Sequence, residues 1–366
     1  MKRRAEILII ILFTAVYGGL LIYFARDVAA AIRESVRLCL YTIIPSLYAF
    51  MVLSSFIIST GIYTVLSKPF SFLSRKIFHI PTRFFSIFLL ASAAGYPVGA
   101  KLLSSLVKSG DLDNDTAADM QCFCYSGGPA FFCGAVSLTL FDNISLGFLI
   151  FGVIFTVNII CGIIIGLRKP VPPAFDPVKI EVKVTVQKFL TAVTDGGKSI
   201  LIMCGIIIFF SSFTAILDRL GFFTIISLAF SGNLGISNAD GETLIKSVVE
   251  INNILSLSRG QHHFLPAVTA LLSFGGVCVL MQILQFSGGY IKFIKFILYR
   301  IFAAVVCFFL TKTVLILFPS LTAVLADTVN GGFTKGTPIP AIFLIFMSII
   351  LLTFEINTKR KRLNSL

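Results

Sequence analysis

Stretches of about twenty residues with almost no charge recur along this chain, and they limit what it can fold into more than any other feature. They lie at 6–24, 38–60, 144–167, 199–217, 296–318 and 338–356. A helix of about that length spans the hydrocarbon of a bilayer. Composition agrees: 57% of the 366 residues are hydrophobic and 13% charged, against about a quarter charged in soluble domains. Runs of about ten alternating residues, the mark of an outer-membrane barrel, are absent. The chain is therefore expected to be an all-α polytopic membrane protein with lipid as its solvent. Met1-Lys2-Arg3-Arg4 ahead of an apolar run resembles a signal peptide, but the run continues to Phe24 and reads as an uncleaved first span.

Two regions break the pattern. Region 84–141 is apolar but interrupted at Gly95-Tyr96-Pro97-Val98-Gly99 and at Ser126-Gly127-Gly128-Pro129. Region 220–287 is interrupted at Glu250-Ile251-Asn252-Asn253 and at Gly275-Gly276. Pieces this short cannot cross alone and suit re-entrant hairpins and broken helices. We read 84–108 and 245–260 as hairpins, and 113–141 and 263–287 as crossings broken in the middle. About eight crossings then place both termini in the cytoplasm. Of the 30 Lys and Arg, 21 fall on the cytoplasmic side, Arg300 among them, and 8 outside, as orientation by basic loops requires. The unit 38–141 starts outside and 199–287 starts inside with the same order of parts, which makes them inverted-topology repeats, a plan of secondary transporters. The expected divisions are 1–35 (first span and surface segment), 36–141 (first repeat), 142–197 (span and linker), 198–290 (second repeat) and 291–366 (two spans and a basic tail). Val182 to Val193 is expected to form an amphipathic helix on the membrane surface.

The interruptions carry the candidate binding residues. Gly95, Tyr96, Pro97 and Gly99 form a hairpin tip, with Pro97 suited to a first helical turn. The helix start carries partial positive charge and attracts carboxylate or phosphate, and Lys101 one turn on adds a full charge or snorkels to the interface. Ser126, Gly127, Gly128 and Pro129 break the next helix, as Gly275 and Gly276 do in the second repeat. Unwound backbone there faces a substrate cavity or simply allows close helix packing. Glu250, Asn252 and Asn253 are the most polar cluster at membrane depth; the acid suits a proton or sodium ion and the amides suit a substrate. Gln282 is a secondary candidate.

The net charge of +13 is assigned to orienting loops, so no nucleic-acid partner is expected. Cys122-x-Cys124 lacks matching ligands, and His79, His262 and His263 are not joined by others, so neither metal nor cofactor is expected. No P-loop, Gly-x-Ser-x-Gly or His-Glu-x-x-His is present, and no catalytic constellation stands out, so an enzyme is not expected.

Three segments carry a resemblance: Ile44-Pro45-Ser46-Leu47, Ala94-Gly95-Tyr96-Pro97-Val98-Gly99-Ala100-Lys101 and Ser126-Gly127-Gly128-Pro129. They resemble the sporulation integral membrane proteins built from two nucleoside-recognition (Gate) domains, of the dipicolinic acid forespore transporter type. The likeness runs from about 36 to about 290. It implies import of dipicolinate across the outer forespore membrane. The family's second tip resembles Glu-Val-Thr-x-Gly; here Glu250-Ile251-Asn252-Asn253-Ile254 keeps the acid without the glycine. A nucleoside or nucleobase transporter, favoured by aromatic and amide contacts without Lys101, and a non-transporting membrane protein of spore maturation stay open. So do the coupling ion, proton or sodium, and a homo-oligomeric state.

Overall fold

The computed structural model describes residues 2–169, 181–234 and 237–317. They form an all-α multi-pass membrane protein: six helical segments are long and apolar enough to cross a bilayer, and no strand occurs among the described residues. The expected span at 338–356 lies outside the described residues.

Helix α1 (Lys2–Tyr23) is followed by α2 (Ala25–Leu38), a π-helical turn (Cys39–Ile43) and α3 (Ile44–Thr60). The last three run on as one continuous helical segment, Ala25–Thr60, charged along α2 and apolar along α3. Pro45 lacks the N–H that would bond one turn back, and a π turn just before it absorbs that loss. The division expected at 35/36 thus falls inside a continuous helix. A short helix α4 (Ile62–Ser67) leads to α5 (Phe85–Ala94) and α6 (Tyr96–Lys108), the two arms of the expected hairpin. Helix α7 (Asn114–Gln121) starts at Asp113, whose carboxylate accepts from the Thr116 N–H at 2.8 Å. The chain is non-helical over 125–128, then π-helical (Phe131–Ser137) and α-helical in α8 (Leu138–Phe141). Helix α9 (Ile144–Gly166) crosses next.

Helix α10 (Val186–Arg219) corrects one expectation. Val182 to Val193 is not a separate surface helix: residues from Val186 onward belong to a single 34-residue helix. Thr185 caps it through the Lys188 N–H, and no proline follows to stop it. At 1.5 Å per residue it is about 50 Å long, more than the hydrocarbon thickness of about 30 Å, so one end projects from the membrane. The division expected at 197/198 lies within it.

Helices α11 (Phe222–Leu234) and α12 (Asn238–Val249) pack side by side, and a 3-10 segment (Ile251–Ser256) follows. The second hairpin therefore has one α-helical arm and one short 3-10 arm, and its first arm begins at the Ser237 cap rather than at 245. The Asn253 side chain bonds the carbonyls of Lys246 and Glu250, and such local bonds compete with an α-helical ladder. Helices α13 (Leu265–Phe274) and α14 (Gly276–Ser287) are the halves of the broken crossing, and α15 (Phe293–Leu317) closes the described chain.

The repeats meet reciprocally. Helix α6 of the first packs along α14 of the second. The end of α8 meets the second hairpin where the Gly260 N–H bonds the Leu140 carbonyl at 2.7 Å. The end of α14 meets the first hairpin, where a Cβ on Gly288 would stand 3.0 Å from Ser104 Oγ.

Candidate functional site

Each hairpin tip lies against the break of its own repeat. In the first, Gly95 turns the chain at φ +102°, a conformation open to glycine and costly to other residues. Pro97 sits in the first turn of α6. A Cβ on Gly128 would stand 3.0 Å from the Ala93 carbonyl and 3.5 Å from the Gly95 nitrogen. In the second, a Cβ on Gly276 would stand 3.1 Å from the Ser247 carbonyl and 3.3 Å from the Ile251 nitrogen. Gly128 and Gly276 thus occupy matching positions, and Gly95 matches the turn at Glu250.

These segments border one small, largely buried space of about 40 Å³, room for about two or three waters. The first repeat lines it with Gly95, Tyr96, Pro97, Gly127 and Gly128, and the second with Glu250, Asn252 and Gln282. Leu47 of α3 and Met203 and Ile207 of α10 complete the wall. Glu250 is 5% exposed. Its Oε1 accepts from Asn252 Nδ2 at 2.7 Å and from the Asn252 N–H at 3.2 Å. Gln282 Nε2 donates to Cys278 Sγ at 3.6 Å. Helix α6 starts at the wall with Tyr96 and Pro97, and α14 starts beside it, so positive helix ends offset the one carboxylate.

Tyrosines from the first tip and the first break reach the second break. Tyr96 donates to the Leu272 carbonyl at 2.5 Å, and Tyr125 to the Phe274 carbonyl at 2.6 Å. Both acceptors are at the C-terminal end of α13, where helical carbonyls have lost their partners.

Other expected site residues lie elsewhere. Lys101 points away from the space, and its Nζ donates to the Asp195 carbonyl on α10 at 3.0 Å. The grouping of its ammonium with the tip is thereby corrected: Lys101 is two residues past Gly99, about half a helical turn, which puts it on another face of α6. Asn253 faces a different pocket. Ser126 is buried and donates to the Gly127 carbonyl at 2.9 Å. Gly99 lies against the Cys124 carbonyl and Gly275 against the Tyr125 hydroxyl, while Pro129 begins the helical stretch after the break.

Behind the first break lies a polar cluster that pattern reading missed. Arg300 is fully buried in α15. Its guanidinium donates to the Cys122 carbonyl and to Asn158 Oδ1, and lies 4.7 Å from the Tyr125 ring centre. Asn158 in turn donates to the Tyr125 carbonyl at 2.7 Å. No carboxylate pairs with Arg300 among the described residues. Arg300 is thus not a cytoplasmic loop cation, and it leaves the orienting set. The signal was a lone Arg inside an apolar run, which reads as function or as a backbone anchor. Beside the cluster, Asp119 pairs with Lys169 and Lys295, tying α7 to the ends of α9 and α15. No three His, Cys, Asp or Glu converge as metal ligands among the described residues.

No family model matches the chain, and no solved structure matches it. Among curated proteins it is similar to the sporulation integral membrane protein YlbJ of Bacillus subtilis, with 29% identity over 215 residues. The match covers 52% of each protein, so the chain spans about half the length of the relative it resembles.

Proposed function

We propose that this chain is a secondary transporter that moves dipicolinate across the outer forespore membrane during sporulation, with both termini in the cytoplasm. The observation that carries the reading is the buried space built from both repeats, with a hairpin tip against a glycine break on each side. Transporters of this plan bind solute where broken helices meet between repeats. The likeness to a sporulation membrane protein supports the physiological setting. A space of about 40 Å³ does not admit an aromatic dicarboxylate, so tip and break must part during transport. With a carboxylate and no basic side chain in the wall, the dianion travels with a proton or cation, and Glu250 is the group to carry it.

A second substrate class has its own support. Tyr96, Asn252 and Gln282 line the space and Lys101 does not, an aromatic and amide wall that suits a nucleoside or nucleobase. Uptake into vesicles containing the purified chain separates the two. Labelled dipicolinate should accumulate above empty vesicles, and paired Gly127→Leu and Gly128→Leu should abolish it without loss of membrane insertion. Uptake of nucleosides with none of dipicolinate would transfer the assignment to the second class; uptake of neither would end the transport reading.

A further inference from the structure

A second pocket, larger and lined by more exposed residues, adjoins the buried space. Its volume is about 230 Å³, and its wall is polar: Ser211, Thr214 and Asp218 of α10, Thr243 and Lys246 of α12, and Asn253. The two pockets share a wall. Met203 and Ile207 of α10 line the buried one, and Ser211, Thr214 and Asp218 line the larger one. Steps of four, four, three and four residues place all five on one helical stripe. The turn after α12 is also shared: Glu250 and Asn252 face the buried space and Asn253 the larger pocket. One short turn therefore stands between them.

The side-chain hydrogen bonds of that turn are all local. Glu250 accepts from Asn252, and Asn253 donates to the Lys246 and Glu250 carbonyls. Every side-chain bond of these three residues stays within 246–253. The segment that follows is 3-10, the poorer helical ladder. The flanking wall is firmer: Lys246 pairs with Asp218 at 2.7 Å, fastening α12 to α10, and Ser211 donates to the Ala31 carbonyl of α2 at 3.1 Å.

We infer that the larger pocket is the vestibule of the buried space, and that the Glu250–Asn253 turn is the partition a small polar solute passes on its way along the α10 stripe. This rests on the transport reading for its solute but not for its geometry. The test uses the full chain in vesicles and a membrane-impermeant trimethylammonium methanethiosulfonate. The eight native thiols are all buried. From one and the same side, Ser211→Cys should react fast and Ile207→Cys at least about tenfold more slowly. Adding Asn252→Ala, which removes the 2.7 Å bond to Glu250, should speed Ile207→Cys about tenfold, equivalent to about 1.4 kcal/mol. It should leave Ser211→Cys unchanged, which also controls for folding. Equal rates at the two positions, reaction from opposite sides, or no effect of Asn252→Ala would overturn the partition. If vesicles take up no solute while this pattern holds, the transport reading falls and the vestibule stands. If uptake persists and modified Ser211→Cys transports at full rate, the vestibule is not on the route.

Discussion

Gly99 offers a direct measure of how tightly hairpin and break are joined. A Cβ there would stand 2.3 Å from the Cys124 carbonyl oxygen and 3.0 Å from Ala91 Cβ. The first obstacle is backbone and cannot rotate aside, so α6 and the break must separate by about 1 Å to regain ordinary contact. Overpacking of this kind costs about 1–3 kcal/mol. Gly152 in α9 is the control, since a Cβ there meets nothing within 4 Å. Alanine at that site contributes about 0.5–1 kcal/mol through lower backbone freedom in the unfolded chain. Thermal unfolding of the purified chain in detergent should thus show Gly99→Ala melting at least about 2 °C below the parent and Gly152→Ala at or above it. Uptake should fall with the first variant alone. Equal melting of the two variants would refute the close approach of α6 to the break.

Other outcomes follow from the same geometry. Arg300→Met leaves the Cys122 carbonyl and the Asn158 amide short of a partner, at about 1–3 kcal/mol per group; Arg300→Lys should not restore stability, because an ammonium cannot reach both acceptors while stacking on Tyr125, and full recovery in a melting assay would contradict this role. Lys101→Met should leave solute affinity unchanged, since its ammonium bonds the Asp195 carbonyl rather than the space; a tenfold loss in uptake affinity, about 1.4 kcal/mol, would return it to the site. Glu250→Gln should uncouple uptake from an imposed proton or sodium gradient while binding persists, and unchanged gradient dependence would remove the coupling role. Reporters fused at residues 176 and 330 should read cytoplasmic and external respectively; an external reading at 176 would overturn the inverted arrangement of the repeats.

Apolar run length made the spans at α1, α9 and α15 legible, because lipid imposes one length on every crossing. The glycines at 95, 127–128 and 275–276 were legible as breaks for a similar reason: backbone that leaves the helix inside a membrane needs a covering partner, and small residues permit one. Gly95, Gly127 and Gly128 line the space, whereas Gly275 and Gly276 lie outside its wall, Gly275 against Tyr125 and Gly276 against the second tip. What pattern could not supply was direction. Lys101 and Asn253 are near the tips in sequence but are carried to other faces by one or two further residues. Arg300 was misassigned because it lies near the start of an apolar run, where a loop cation and a buried anchor look alike. The 3-10 form after Glu250 was hidden for a related reason: it depends on side-chain bonds back to the chain that composition does not reveal.

The buried guanidinium of α15 also constrains how the protein is made. An Arg at the centre of an isolated helix costs about 2.5–3.5 kcal/mol to insert into the membrane; Arg300, eight residues into α15, lies nearer one end, and no acidic residue within Phe293–Leu317 pairs with it. The oxygens that receive it belong to Cys122 and Asn158, in segments synthesised long before. The packing of α15 thus depends on the first break and α9, which supply the acceptors for its charge. A chain whose first unit has not assembled leaves the α15 guanidinium without these acceptors.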